Sequence, residues 1–286
     1  MPQIAELHAP PSWGTVDFIS DLHLQEADPA TFTVWRHYMQ NTPADAVFIL
    51  GDLFEAWVGD DVVSTAVFNA NAQSYSKKNT SSTTEKTSLE LSFEDQCALQ
   101  LRQTATRLAL FFMHGNRDFL VGQAIADTNL MALCNTTLLT DPTVLVFNRQ
   151  RWLLSHGDAL CLADTDYMQF RQQVRSLTWQ QAFLNKPLTE RQAIARELRR
   201  QSELRKQSGL DYADVDTDAA RAWLAAANAS TLIHGHTHKP AQHDLGNGLM
   251  RVVLSDWDMH AKTTSTPRAE VLRLSANGLQ RIDLTN

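Results

Sequence analysis

Five short apolar runs, each stopping at side chains that can bind a metal ion, restrict this chain of 286 residues more than any other feature. They are Val16 to Ile19, Val47 to Leu50, Leu110 to Met113, Trp152 to Leu154 and Thr231 to Ile233. Their brevity and their content of Val, Ile, Leu and Phe predict buried strands. Stretches with helical spacing, Thr31 to Met39 and Leu99 to Leu108, lie between the earlier runs. Strands that alternate with helices predict an α/β sandwich.

The runs lead in turn to Asp21-Leu22-His23, Gly51-Asp52, Gly115-Asn116, His156-Gly157-Asp158 and Gly235-His236-Thr237-His238. Each candidate ligand therefore follows the C-terminal end of a strand, the edge at which open α/β sheets collect their ligands. Glycine stands beside the ligand in four of the five, which allows a sharp turn or a close backbone approach. If strand geometry continues through Asp21 and His23, the two-residue step sends both side chains to one side.

Two Asp, one Asn and four His, without sulfur, favour cations content with mixed oxygen and imidazole donors. Mn²⁺ fits, and Zn²⁺, Fe²⁺ or Co²⁺ could substitute. Seven donors exceed the needs of one ion and suit two, with one carboxylate bridging and water filling the remaining positions. Two ions about 3.5 to 4 Å apart are a recurring device for in-line displacement at phosphorus. One isolated DxH or GD is a common chance match. The ordered set of five is not, because packing demands neither Asn nor four histidines at those points.

Composition narrows the setting. With 43% hydrophobic and 20% charged residues the chain is ordinary globular material, enough for one large domain with an insertion or for two modest ones. A net charge of −7 argues against a nucleic-acid partner. Cys97, Cys134 and Cys161 are odd in number and widely spaced, as expected of reduced thiols in the cytoplasm. Met1 to Trp13 lacks a basic stretch followed by an apolar one, so no signal peptide is expected, and no run approaches the roughly 18 apolar residues of a membrane span. The expected protein is soluble, or at most peripheral on a membrane surface.

The span Asn69 to Asp95 contains the stretch SYSKKNTSSTTEKTS and reads as a polar, mobile surface insertion. Residues 159–229 read as a helical cap, with helices at Tyr167 to Phe183, Glu190 to Lys206 and Thr217 to Ala227. This cap interrupts a main domain made of residues 1–158 and 230–286. Between Arg171 and Leu210 nine Lys or Arg stand against three Glu. Such a surface is either a solvated helix face laced with i,i+4 pairs or one that meets phosphate or anionic lipid head groups.

The ordered set DxH, GD, GN, HG and GHxH resembles the calcineurin-like metallophosphoesterase superfamily, whose fold is an αββα two-sheet sandwich. The likeness covers most of the chain outside residues 69–95. It implies a first ion held by Asp21, His23, Asp52 and His238 and a second held by Asp52, Asn116, His156 and His236, with Asp52 bridging. The chain departs from the superfamily at Gly115-Asn116-Arg117-Asp118, where a histidine usually follows the asparagine. That histidine can protonate an alkoxide leaving group. A fixed arginine cation instead suits a leaving group that is itself a phosphate.

Three segments, ILGDLFEAWVGDD (49–61), HGNRDFL (114–120) and LIHGHTHKP (232–240), narrow the likeness to the UDP-2,3-diacylglucosamine pyrophosphatases of bacterial lipid A biosynthesis. That family implies water attack on the α-phosphorus of UDP-2,3-diacylglucosamine, giving UMP and 2,3-diacylglucosamine 1-phosphate, in the presence of two Mn²⁺. It implies catalytic roles for Arg117, Asp52 and Asn116, and substrate contacts from Asn116, Arg117, Asp164, Ser202, Lys206 and His236. A cap lysine expected three positions after Lys206 is replaced by Gly209. Neither Glu55 nor Trp57 is required by metal coordination, so each either supports the site or touches substrate. Trp179, Phe183, Leu184 and Leu198 either line an acyl-chain groove under the cap or pack its helices. The implied location is the cytoplasmic face of the bacterial inner membrane, bound peripherally, with no obligate protein partner. Two other readings remain open: another dinuclear metallophosphoesterase, such as a nucleotide phosphodiesterase or phosphatase, and a non-catalytic scaffold of the same fold. A scaffold should show gaps among its ligands, and none of the seven is missing.

Overall fold

A computed structural model describes residues 2–65, 68, 91–122, 129–207, 213–260 and 266–285, without the side chains of 202, 203 and 205–207. The polar stretch 69–90, Gly209 and the side chains of Ser202 and Lys206 thus lie outside the described residues.

Two six-stranded sheets face each other. The first places four parallel strands side by side: β2 (Thr15–Ile19), β3 (Ala46–Leu50), β4 (Ala109–Met113) and β5 (Thr137–Leu139). The hairpin β11 (Glu270–Ser275) and β12 (Gly278–Asp283) extends it beyond β2. In the second sheet β1 (Ala5–His8), β6 (Thr143–Phe147), β7 (Gln150–Ser155), β8 (Thr231–His234), β10 (Leu249–Val253) and β9 (Ala241–Gly246) follow one another, and β7, β8 and β10 run parallel. All five runs singled out in the sequence are central strands (β2, β3, β4, β7 and β8).

Every residue of β3 is buried, as two covered faces require. Phe48 and Leu50 point between the sheets, where Phe48 stacks on Phe111 of β4 at 4.5 Å and the pair meets Leu145, Leu154 and Ile233 of the second sheet. Val47 and Ile49 point outward to α1 (Pro29–Asn41) and α2 (Phe93–Thr104), packing with Trp35, Met39 and Leu101. The outer face of the second sheet is covered by α7 (Thr217–Ala227), whose Ala220, Trp223 and Leu224 meet Leu153 and Leu232. The result is the expected αββα sandwich.

Local signals explain where the helices differ from expectation. Helix α2 starts six residues earlier than the spacing predicts, because Ser92 and Asp95 form a reciprocal capping box. Residues Phe93 to Asp95, assigned above to the polar insertion, are therefore helical. The single helix expected over Tyr167 to Phe183 is two, α4 (Thr165–Val174) and α5 (Leu177–Leu184), because the Ser176 hydroxyl accepts the Trp179 N–H and starts a new N-terminus. A short helix, α3 (Leu130–Leu133), precedes β5. Helix α6 spans Leu188–Gln207. Helices α4 to α6 touch the loops that follow β3, β4 and β7, whereas α7 belongs to the flank of the sandwich. Among the described residues no helix is long and apolar enough to cross a membrane.

Candidate metal centre

The seven predicted donors meet where the C-terminal ends of β2, β3 and β4 face those of β7 and β8. Strand geometry does not persist into the donors as anticipated. Asp21, His23, Asp52, His236 and His238 all have φ between 49° and 69°, the left-handed region that non-glycine residues rarely enter. Asp21 and His23 converge because each occupies its own tight turn, not through alternation along a strand. The turns are tied to one another: Asp21 N–H donates to Gly51 O (3.1 Å) and His23 N–H to Asp52 O (3.0 Å). Outliers of this kind cost about 1 to 3 kcal/mol each and persist where surrounding structure over-determines them.

Two glycines show how tight the assembly is. A Cβ at Gly115 would lie 2.1 Å from Asp52 Oδ1, and one at Gly235 would lie 2.3 Å from both Asp21 Oδ2 and Ser20 Oγ. Any side chain at either position would displace a donor carboxylate.

The donor atoms form two overlapping groups. Asp21, His23 and His238 each offer an atom within 4.8 Å of the others, and so do Asp21, Asp52 and His156. His23 Nε2 is 3.3 Å from His238 Nε2, and His238 Nε2 is 3.4 Å from Asp21 Oδ1. On the other side Asn116 Oδ1 is 3.0 Å from His156 Nε2 and 2.9 Å from His236 Nδ1, while Asp52 Oδ2 is 3.8 Å from His156 Nε2. Asp52 lies between the groups, its Oδ1 accepting the Arg117 N–H at 2.8 Å.

The electrostatics fit a site for cations. Burial lowers the His23 and His236 imidazoles to about 4, so at neutral pH they carry a free nitrogen lone pair. Burial also disfavours charge on Asp21, yet its hydrogen bond to His238 and the neighbouring imidazoles hold it well below the usual carboxylate range. For His156 burial is outweighed by the charges of Asp52, Asp21 and Asp158, which raise it to about 9. Buried carboxylates raising the His156 imidazole mark a centre that seeks positive charge, and the mixed oxygen and nitrogen donor set suits a divalent ion.

Behind the donors stand residues that the sequence reading did not assign. Asp118, fully buried, accepts N–H groups from Leu53 (2.7 Å) and Gly115 (2.8 Å) and locks the Asp52 turn to the Asn116 turn. Burial and the charge of Asp52 push it up to about 7. Asp158 receives Tyr167 Oη at 2.7 Å and Arg171 Nε at 2.8 Å from α4. The Tyr167 ring stacks on His236, centroids 5.8 Å apart. Asp256 Oδ2 lies 3.6 Å from His238 Nδ1. A sixth run, Val252-Val253-Leu254 before Ser255-Asp256, has the same form as the five and could have flagged this acid.

A cavity of about 580 Å³ opens from the donors toward α4, α5 and α6. Arg117 lines it, and among the described residues its buried Nε has no hydrogen-bond partner. Asp164 lines it too and caps α4 by accepting the Tyr167 N–H at 3.1 Å. Trp57, Trp179, Phe183 and Leu198 supply apolar wall, whereas Leu184 is buried in the core. Glu55 reaches His23 and Arg199, and Trp57 Nε1 donates to Asp60 at 2.9 Å.

The basic excess of the cap resolves into two kinds of partner. Lys186 with Glu190, and Arg200 with Glu197, are helix-surface pairs as anticipated. Arg171, Arg175, Arg191 and Arg199 instead reach inward to acids or carbonyls of the sandwich. These four fasten the cap to the loops that carry the donors.

Comparison with known proteins agrees with this geometry. The pattern that defines the calcineurin-like phosphoesterases matches residues 14–240. A UDP-2,3-diacylglucosamine hydrolase of Chromobacterium violaceum is 43% identical over 251 residues, covering 85% of this chain and 90% of that protein. One from Xanthomonas campestris pv. campestris is 39% identical over 280 residues, covering 93% and 97%. A solved archaeal phosphodiesterase overlaps 94% of this chain and 99% of its own, at 9% identity and a TM-score of 0.43. The chain therefore belongs to the calcineurin-like phosphoesterases, metal-dependent hydrolases of phosphorus linkages, and within them to the family of the UDP-2,3-diacylglucosamine hydrolases.

Proposed function

We propose that this chain hydrolyses the diphosphate of UDP-2,3-diacylglucosamine, in lipid A biosynthesis. Water forms a bond to the α-phosphorus, the bond from that phosphorus to the bridging oxygen breaks, and the products are UMP and 2,3-diacylglucosamine 1-phosphate. One observation carries the reading: a single cavity joins five of the seven donors, His23, Asp52, Asn116, His236 and His238, and Arg117 to an apolar wall of Trp57, Trp179, Phe183 and Leu198.

In this reading Asp21, His23, Asp52 and His238 would hold one divalent ion and Asp52, Asn116, His156 and His236 the other, with Mn²⁺ as the ion proposed. Bound ions would supply Lewis acidity, which acidifies water and neutralises charge on phosphoryl oxygens. The protein's own groups do the rest. Arg117, in place of a proton donor, offsets the charge that collects on the departing phosphate. Asn116 and His236 orient the phosphates, and Asp164 at the head of α4 contacts the polar part of the substrate, joined by Ser202 and Lys206 of α6. The cap, residues 159–229, acts as a lid of which α4 to α6 form the part over the cavity. Its apolar wall shelters acyl chains, worth about 0.8 kcal/mol per CH₂ removed from water. A two-chain lipid resides in a bilayer, so the protein works peripherally at the cytoplasmic face of the inner membrane, without nucleic acid or an obligate protein partner.

Incubation of the purified protein with Mn²⁺ and UDP-2,3-diacylglucosamine in ¹⁸O-labelled water tests this. UMP carrying the label is expected. Label in the sugar 1-phosphate would reverse the site of attack. Hydrolysis of bis(p-nitrophenyl) phosphate without UMP release would remove the substrate assignment.

A further inference from the structure

One acid at the mouth of the cavity touches both the donor cluster and the cap. Glu55 sits in the loop after β3, and its N–H donates to Leu24 O at 3.1 Å, holding it beside the turn that carries His23. Its Oε2 lies 2.9 Å from His23 Nδ1. Its Oε1 pairs with Arg199 Nη2, and Arg199 Nη1 donates to the Glu55 carbonyl at 2.8 Å. The carboxylate is 13% exposed, so these contacts act largely out of water, where charge interactions are less screened. His23 Nδ1 is buried, and the Glu55 carboxylate lies within ion-pair distance of it, although no aligned hydrogen bond to it forms among the described residues. The opposite nitrogen, Nε2, turns toward the donor cluster.

The neighbouring imidazole offers a comparison within the molecule. His238 Nδ1 also faces a carboxylate, Asp256, and that carboxylate is also held by an arginine, Arg268, at 2.7 and 3.1 Å. There the arginine precedes β11 and belongs to the sandwich. For His23 the arginine belongs to α6 and therefore to the cap. A carboxylate behind a metal-binding imidazole fixes its tautomer and ring orientation, and its loss typically costs 10- to 100-fold in metal affinity or activity.

We propose that Glu55 is a positioning residue coupling the cap to the metal centre: Arg199 of α6 holds its carboxylate, which in turn holds the His23 ring with Nε2 toward the ion. The position of the cap and the orientation of one ligand then form a single mechanical unit. The inference rests on the reading of the His23 side as an ion site and is independent of the substrate.

Isothermal titration of chelator-stripped full-length protein with Mn²⁺ tests it without turnover. Wild type is expected to take up two ions. Glu55→Gln should weaken one of the two sites by about tenfold or more. Arg199→Ala, which removes the α6 side chain paired with Glu55, should weaken the same site, and the double variant should bind no worse than the weaker single one. Arg199→Lys should recover part of the loss, and serves with Glu55→Gln if the alanine variant does not fold. Arg200→Ala, on the same helix but paired with Glu197, should bind as wild type does. Unchanged affinity in Arg199→Ala, losses that multiply in the double variant, or an equal loss in Arg200→Ala would each overturn the coupling. If wild type itself takes up no pair of ions, the metal-centre reading fails, and the coupling with it.

Discussion

The rim of the sandwich and the cap above it are built on opposite principles. At the rim the backbone does the positioning: five donors sit in left-handed turns, Gly51, Gly115 and Gly235 press against donor side chains with no room for a Cβ, and the Asp52 and Asn116 turns are cross-bonded through Asp118. The cap is held by a few apolar side chains, Phe183 and Leu184 among them, and by the tips of long ones, four arginines reaching acids or carbonyls across the interface. A backbone turn fixes a donor to within tenths of an ångström and admits no adjustment. A guanidinium on a flexible stem holds firmly yet can let go.

If that contrast is right, substitutions at the rim should extinguish chemistry and those at the cap should tune it. Asp52→Ala is expected to have the largest effect, loss of both ions and of measurable hydrolysis, read by titration with Mn²⁺ and by UMP release; retention of one tight ion would show that the carboxylate does not bridge. Gly115→Ala adds a single methyl group, but 2.1 Å from Asp52 Oδ1, so kcat should fall by about 10² or more through misplacement alone. A fall of less than tenfold would mean the rim can yield. Arg117→Ala leaves the turns intact and should lower kcat by about 10² with little change in KM, because the guanidinium acts on developing charge. Equal kcat in the variant would dismiss that role.

At the cap, Arg191→Ala removes a guanidinium that is 2% exposed and bonds Asp61 and the carbonyls of Val58 and Lys186. Thermal unfolding should show a loss of about 1 to 3 kcal/mol from the groups left unpaired, with Mn²⁺ affinity unchanged. The smallest effect is expected at the root of the cap, where Asp214 pairs with Arg251 of β10 at 2.7 Å. That arginine lowers the Asp214 carboxyl to about 2 from 3.8. A depressed folded value gives stability that is present above pH 3.8 and lost as pH falls toward 2. Asp214→Asn should therefore lower Tm slightly above pH 4, by an amount that shrinks toward pH 2, and an unchanged difference at low pH would detach the effect from titration. Asp214 is 45% exposed, so solvent screening keeps the effect small.

The same contrast decides what could be read beforehand. The convergence of the seven side chains was visible because Asp, Asn and His recur at strand ends, where His156 or Asn116 has no packing reason to be. The central strands were visible because burial on both faces leaves continuous apolar runs. Backbone conformation at Asp21 or His236 was not, since Asp and His enter the left-handed region more often than other side chains but still only in a small share of cases. The arginines of the cap were misjudged for a different reason. Arg191 and Arg199 meet acids 130 and 144 positions away, and nothing local separates such a side chain from one that points to solvent. Ser92 and Asp95 did carry a capping signal, hidden beside a polar segment that looked uniform.

Asp21, His23, Asp52 and Asn116 come from one sheet, whereas His156, His236 and His238 come from the other. An ion held by both sets acts as a rivet through the open end of the sandwich, joining two layers whose facing surfaces are mostly apolar. Chelation should then unfasten that seam first. Amide exchange at the tips of β2 and β8 would quicken well before the middle of either sheet responds, so the protein's own breathing becomes a gauge of how much metal it carries.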